Sequence, residues 1–403
     1  MQKSGGAATH MKNTDIEWII GDENVKIKPL KPYSDLVIDF LDELSSILRK
    51  RAVKEKHNDI MTLAFWCRRG NILKLRDSRE RMDNRLGRGL VFHITPANVP
   101  INFAFSYFFG LLSGNGNIVR VPSKAFEQTD IICDGIRTVL EATKYKIIKE
   151  TTAFIRYGHN KEITDEFSMM ADVRIIWGGD ASIAEIRKSP MKSNGTEIVF
   201  ADRFSFGIIN SDEFVKLSEE AAYEFAVKFY NDTYLMDQNA CSTPHLILWA
   251  GAEKEAAKGK LWAAVRKAAD GYSLEPVKAM DKYTDLCISC CENNVKKAER
   301  ADNLLYVVEL KELPKEIETL RGRYGMFYQY DLQDISSLIP YINGRVQTLL
   351  YYGLDKNMLM SFVSDNNLQG IDRIVPFGKA LDMGVYWDGY DIVSQLSRIV
   401  TVE

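Results

Sequence analysis

The sequence predicts a mixed α/β protein built from two domains. Three observations predict this. A chain of 403 residues is too long for one simple core. From Gly89 onward, short apolar runs alternate with helical patterns, which implies parallel sheet with right-handed crossovers. A second unit of the same kind starts near Asp202. The hydrophobic share of 46% and charged share of 27% fit a soluble globular chain.

In chain order, residues 1–30 read as an N-terminal tail or extension. Met1 to His10 has no apolar run of the kind a secretory signal needs. A first, nucleotide-binding domain is expected over 31–201. Leu36, Val37, Phe40, Leu41, Leu44 and Leu48 form one stripe, predicting a helix from Ser34 to about Val53. Asp59 to Lys74 reads as another helix. Leu90 to Ile94 is strand-like, and a buried helix follows from about Phe103 to Leu112. Ile118 to Val121 is a short strand, after which Ser123 should cap a helix reaching towards Ala142. Strand Thr152 to Tyr157, helix Lys161 to Met170 and strand Val173 to Trp177 complete the alternation. No GxGxxG follows any of these strands, so the usual dinucleotide fingerprint is missing.

A catalytic domain is expected over 202–378. It opens with a helix from Asp212 to Asn231, then a loop, the apolar run His245 to Trp249, and a helical stretch from Ala252 to Asp270. Residues 379–403 should return to the cofactor domain or make an oligomer contact. Between Gly89 and Val119 there is no Asp, Glu, Lys or Arg. That run is not a membrane span, because Pro96, Pro100 and the Gly-Asn cluster from Gly114 to Asn117 leave a helix too short to cross ~30 Å. A net charge of −3 gives no electrostatic case for nucleic acid or an anionic membrane. Six irregularly spaced cysteines make no disulfide framework and point to a reducing, cytoplasmic setting.

One cysteine stands out. In Asp237-Gln238-Asn239-Ala240-Cys241-Ser242-Thr243-Pro244 a thiol lies between an amide-rich approach and a Ser-Thr-Pro turn. A thiol on such a loop between regular elements is a candidate covalent nucleophile, although a lone cysteine is often only a small buried hydrophobe. His93 and His245 read as strand residues with satisfied rings. Cys287, Cys290 and Cys291 lack the further Cys or His that zinc would need, so they read as buried thiols, and no metal site is expected. Arg323 and Arg345 read as surface arginines.

Four segments carry a resemblance. Gly89 to Pro100, with Thr95-Pro96-Ala97-Asn98 at its strand end, resembles the Thr/Ser-Pro-Trp-Asn-Phe-Pro motif of aldehyde dehydrogenases. Gly116 to Lys124 resembles that superfamily's Gly-Asn-…-Lys-Pro-Ser strand. Trp177-Gly178-Gly179-Asp180 falls at its Phe-Thr-Gly-Ser turn, and the Cys241 loop matches its nucleophile loop. Within the superfamily the chain resembles the LuxC-like acyl-CoA reductases, through Gly370 to Leu381 and Trp387-Asp388-Gly389-Tyr390-Asp391. The resemblance covers about residues 30–400.

It implies an aldehyde dehydrogenase-like fold, with a Rossmann-like cofactor domain beside an α/β catalytic domain. It also implies NAD(P)H-dependent reduction of an acyl thioester to the aldehyde through an S-acyl enzyme on Cys241. NADPH is the expected cofactor and NADH the alternative. The cofactor-binding residues implied are Thr95, Pro96, Ala97, Arg120, Pro122, Ser123, Lys124, Gly178, Gly179 and Asp180. Asn98 is implied as an oxyanion donor, against a plain reading as a turn residue between two prolines. The expected substrate is acyl-CoA or an acyl carrier. An acyl-activating synthetase is a further expected partner, in a homo-oligomer with no nucleic acid and no membrane span. Val121 stands where the ribose-binding lysine would be, and Phe200 where the deacylating glutamate would be. Glu197 and Asp202 lie near but out of frame. The loss of that base argues against the alternative of an aldehyde dehydrogenase that makes the acid. An intact Cys241 argues against the other alternative, an inactive scaffold.

Overall fold

A computed structural model describes residues 15–78, 82–97 and 99–403. The chain divides into two compact units, one running up to Ala201 and including Tyr390–Glu403, the other spanning Asp202–Gly389.

The first unit holds a six-stranded sheet. Its strands are β1 (Glu17–Ile20), β3 (Leu90–Ile94), β4 (Gly116–Arg120), β5 (Thr152–Arg156), β6 (Val173–Trp177) and β7 (Thr196–Phe200); a short strand, β2 (Arg85–Gly87), lies outside it. The order is β1-β5-β4-β3-β6-β7, and only β1 runs antiparallel. Every residue of β3 and β6 is buried, as expected for central parallel strands covered on both faces. From β3 the chain steps outward to β4 and β5, then returns to the other side of β3 for β6 and β7. The carboxyl ends of β3 and β6 therefore flank a topological switch point, where open α/β sheets bind ligands.

Helix Asn102–Leu112 packs against this sheet with nearly all its side chains buried. Gly110 permits the close approach, since a Cβ there would meet Asn117 Oδ1 at 1.9 Å. The C-terminal strand Ser397–Ile399 pairs antiparallel with β2, and Arg85 Nε donates to Ser397 Oγ at 2.8 Å.

The second unit holds a seven-stranded sheet in the order β10-β11-β12-β9-β8-β13-β14. The strands are β8 (Phe204–Asn210), β9 (Pro244–Ala250), β10 (Val295–Ala301), β11 (Leu305–Leu310), β12 (Met326–Asp331), β13 (Val346–Tyr352) and β14 (Arg373–Pro376). All neighbours are parallel except β10 and β11. Alternation divides the core between its faces. Leu246, Leu248, Tyr328 and Leu349 join one cluster, while Ile247, Trp249, Phe327 and Leu350 join the other.

Three helix expectations are corrected. Asp59 to Lys74 is two helices, Asn58–Trp66 and Arg69–Asp77, because the Asp42 carboxylate accepts the Arg69 N–H at 2.8 Å and starts a new helix there. Asp212 to Asn231 is also two. Asn210 caps Ser211–Phe214, and Ser218 caps Glu219–Thr233 by accepting the Ala221 N–H at 3.2 Å. Ser123 caps nothing. The extended backbone of Phe126 delays the helix to Glu127–Leu140.

Candidate active site

Cys241 lies on the loop that enters β9, at the amino-terminal edge of the second unit's sheet. A turn at Tyr234–Met236 is followed by two left-handed residues, Asp237 (φ 52°) and Gln238 (φ 61°), which reverse the chain. Strain of this kind persists only where neighbours fix it. Gln238 is buried and supplies that fixation. Its Nε2 donates to the Met326 carbonyl at 2.9 Å, and its Oε1 accepts from Gly325 N–H at 2.6 Å and Met326 N–H at 3.2 Å. Past the cysteine, Thr243 Oγ1 donates to the Asp232 carbonyl at 2.8 Å. At the cysteine itself, Ser205 Oγ donates to the Cys241 carbonyl at 2.7 Å while accepting from Thr348 N–H at 3.2 Å. The loop is thus pinned before, at and after the sulfur.

The half-buried Cys241 Sγ lies 3.7 Å from Asp202 Oδ1, with the thiol as donor. The same oxygen accepts from Arg321 Nη1 at 2.9 Å. Burial, reinforced by the charges of Asp202 and Asp388, pushes the thiol up to about 11, against the opposing pull of Arg203 N–H and the Arg321 guanidinium. In this state the thiol is protonated at neutral pH.

The side chain of Asp388, in the Trp-Asp-Gly-Tyr-Asp run, is buried at the same edge. It accepts from Gln347 Nε2, and Arg203 Nη1 stands 3.8 Å away. Burial pushes its carboxyl up to about 6. Arg203 also pairs with Asp372 and donates to the Val346 carbonyl at 2.8 Å. The site therefore draws Asp202, Arg203 and Ser205 from the start of β8, Cys241 from before β9, and Arg321 from before β12. Gln347 comes from the start of β13, and Asp388 from beyond β14. Sequence reasoning assigns no role to Ser205, Arg203, Gln347 or Asp388. The one signal it holds for any of them is the Trp-Asp-Gly-Tyr-Asp run, which carries a resemblance and no chemistry.

The preceding motif has a packing role. The buried Asp232 carboxylate accepts the N–H groups of Gly378 and Ala380, and burial pushes it up to about 6. Phe377 fills the space over Gly207, where a Cβ would meet its ring at 2.4 Å. Arg373 donates to the Ala380 carbonyl at 2.6 Å and lies 4.6 Å over the Trp387 ring.

The other candidates fall as follows. Phe200 stacks on Trp177 at 3.8 Å in the first unit. Glu197, in that unit too, is tied to Arg174 at 2.6 Å and Arg187 at 2.7 Å. Of the two out-of-frame carboxylates, Asp202 is the one beside the sulfur. A carboxylate therefore stands beside the thiol, which corrects the expectation of a site without a base. His93 is buried between Ser106 Oγ at 2.8 Å and Asn117 Oδ1 at 3.0 Å, and His245 Nδ1–H donates to the Gly322 carbonyl at 2.9 Å. Burial lowers the two rings to about 4 and about 3, respectively. Cys287, Cys290 and Cys291 are exposed, not buried, near the end of helix Pro276–Glu292. Arg323 is paired with Asp285 at 2.6 Å, and Arg345 is at the surface. Among the described residues, one acidic trio, Glu255, Glu309 and Asp331, has metal-like spacing. The Lys258 ammonium already binds all three.

In the first unit the proposed cofactor residues sit at the carboxyl ends of β3, β4 and β6. Thr95 Oγ1 donates to the Arg120 carbonyl at 2.8 Å, joining two of these ends. The Arg120 guanidinium lies 4.3 Å over the Tyr157 ring and donates to the Tyr157 and Gly158 carbonyls. Pro96 is half-buried and Pro122 buried, while Ala97, Ser123 and Lys124 are exposed. Lys124 Nζ lies 5.2 Å over the Phe126 ring. Gly178 and Gly179 precede helix Asp180–Ile186, which starts at Asp180. Neither glycine has positive φ, and a Cβ on Gly179 would meet nothing within 4 Å. Asn98 lies outside the described residues.

The profile of the family described as "Acyl-CoA reductase (LuxC)" matches residues 7–401. The chain belongs to the LuxC acyl-CoA reductase family. Solved structures with the same architecture include a bifunctional proline utilization A (PutA) protein, at 14% identity and a TM-score of 0.61. The match covers 91% of this chain but only 42% of that one, so this LuxC-family chain spans less than half of PutA. A putative aldehyde dehydrogenase from Burkholderia cenocepacia matches at 14% identity and a TM-score of 0.60, covering 91% and 84% of the two chains. Thermus thermophilus 1-pyrroline-5-carboxylate dehydrogenase matches at 11% identity and 0.58, covering 90% and 80%. No match is found among curated proteins. These likenesses give the LuxC-family chain an aldehyde dehydrogenase-like fold. Among the described residues no helix is long and apolar enough to cross a membrane.

Proposed function

We propose that this protein reduces an acyl thioester, acyl-CoA or an acyl carrier, to the aldehyde through an S-acyl enzyme on Cys241. The observation that carries the reading is the Cys241 loop, fixed by Gln238, Thr243 and Ser205 so that one thiol sits beside a carboxylate. Cys241 attacks the thioester carbonyl, the carrier thiol leaves, and the acyl group remains on sulfur. A reduced nicotinamide, when bound, supplies the hydride that turns this acyl group into aldehyde.

The first unit offers residues suited to such a cofactor. The glycines at 178 and 179 follow a strand end at the switch point, and no packing inside the fold requires the second of them. Gly179 is the N-cap of helix Asp180–Ile186, and its missing side chain also leaves room for a ligand. Lys124 and Ser123 are exposed nearby in sequence to β4 and can meet a phosphate or ribose. Arg120 is already committed to backbone carbonyls, which makes Lys124 the better substitute for the missing ribose lysine. NADPH is the cofactor proposed first, and NADH is tested beside it. An acyl-activating synthetase and a second copy of the chain are the partners proposed.

Intact-mass measurement after mixing with acyl-CoA tests the nucleophile. Wild type should gain one acyl group, and Cys241→Ala should gain none while keeping its thermal unfolding midpoint. An adduct persisting in the variant would move the nucleophile elsewhere. Turnover with acyl-CoAs of graded length and each nicotinamide tests direction. Aldehyde should accumulate from acyl-CoA and NADPH. Fast acid formation from aldehyde and NADP⁺ without CoA would return the reading to an oxidising aldehyde dehydrogenase.

A further inference from the structure

We propose that Asp202 is a catalytic residue that takes the Cys241 proton as the sulfur attacks and then delivers it to the departing thiol. This rests on the reading of Cys241 as the acylated nucleophile. Three observations carry it. Asp202 Oδ1 is 3.7 Å from Sγ, within reach of a thiol donor. Arg321 donates to that same oxygen at 2.9 Å, and so fixes the carboxylate on the side of the sulfur. Both come from the second unit, as do the other charged groups around the thiol, Arg203 and Asp388.

The chemistry requires such a group. The environment favours the protonated thiol, so the nucleophile is not stored as an anion. Its proton has to leave as the bond to carbon forms, and a carboxylate already hydrogen-bonded to it is the positioned acceptor. The S–H bond breaks, its electron pair forms the S–C bond, and the proton moves to Asp202. When the tetrahedral adduct collapses, the carrier sulfur leaves with the C–S pair and takes that proton. Asp202 ends as it began, and no oxidant or reductant enters this half-reaction. The same anion that accepts the proton also opposes free thiolate. One residue therefore has opposite effects on two reactions of the same sulfur.

That opposition is the test. Acylation by acyl-CoA and alkylation by iodoacetamide are measured on wild type, Asp202→Asn, Asp202→Ala and Asp202→Glu at pH 8, with site-resolved mass spectrometry at Cys241. In the Asn and Ala variants acylation should fall ~10²-fold or more, while alkylation at Cys241 should rise. The Glu variant should recover part of the acylation rate. Acylation near the wild-type rate in both Asn and Ala variants would overturn the role of Asp202 alone. A parallel fall in both reactions would overturn it too, as damage to the loop. No adduct on wild-type Cys241 would overturn both this inference and the reading beneath it.

Discussion

The two units place their candidate residues on opposite edges of their parallel sheets. In the first unit, Thr95, Arg120, Lys124 and Gly178 follow the carboxyl ends of β3, β4 and β6. In the second, Cys241, Asp202, Ser205 and Gln347 lie at the amino-terminal ends of β8, β9 and β13. The fillings differ as well. The first edge keeps a glycine with nothing within 4 Å of its absent side chain and an exposed lysine. At the second edge Gly322 and Gly325 are hemmed in, with the Met326 and Leu304 carbonyls 1.8 and 2.3 Å from where a Cβ would be. One edge is open at these positions. The other is braced to hold one sulfur still. The general rule that ligands meet the carboxyl ends of strands points to the first edge and not to the second.

The largest effect that could break this contrast is in thiol reactivity. A braced, desolvated Cys241 held up to about 11 is about one part in a thousand thiolate at pH 8. Iodoacetamide should therefore label the exposed Cys287, Cys290 and Cys291 well before Cys241, and Cys241 should gain rate steadily towards pH 11. Cysteine-resolved labelling from about pH 7 to 10 reads this directly. A Cys241 that reacts first at neutral pH would mean the second edge is as open as the first.

Next come the glycines. Gly325 has φ 86° and no room, so Gly325→Ala should cost at least ~2 kcal/mol of stability through strain and overpacking. Gly179→Ala, at a helix N-cap with open space around it, should cost less than ~1 kcal/mol of stability and weaken nicotinamide binding. Chemical denaturation and cofactor titration of the two variants sharpen the contrast. Equal destabilisation would erase it.

How much of this can be read from the sequence follows from the same geometry. Strands β3 and β6 and the helix Lys161–Met170 are legible because each has its own apolar period or continuous buried run. The helix breaks near Cys67 and Lys216 are not, because each depends on a capping bond, one of them from the distant Asp42. Cys241 is legible as a motif. Its surroundings are not, since Asp202, Arg321 and Gln347 come from the starts of three strands that the sheet order β12-β9-β8-β13 gathers, and Asp388 comes from beyond β14. The three cysteines from Cys287 to Cys291 mislead for the converse reason. An apolar helix face looks buried in sequence, whereas Val277, Met280 and Ile288 on that helix are exposed as well.

The smallest expected effect concerns the buried acid at the braced edge. Burial raises the Asp388 carboxyl from an ordinary 3.8 to about 6 in the folded protein. A carboxyl raised on folding contributes stability that is fully present below its unfolded value, and that contribution is lost as pH rises through the folded value. The window is thus about pH 4 to 6, and above it Asp388 is a charge the fold holds at a cost. A rise of that size sets a ceiling of ~3 kcal/mol on the cost. Asp388→Asn removes the charge and keeps an oxygen for the Gln347 amide, but it also removes a nearby counter-charge from Arg203. The variant should therefore be more stable than wild type at pH 8, by less than that ceiling, with the difference shrinking to nothing near pH 4. Asp232 is raised in the same direction, and its contribution cancels when variant and wild type are compared at each pH. Thermal unfolding of the pair at pH 4, 6 and 8 measures it. A variant less stable than wild type at pH 8 would show that Arg203 depends on the Asp388 anion, and that the brace at this edge is ionic rather than a tolerated buried acid.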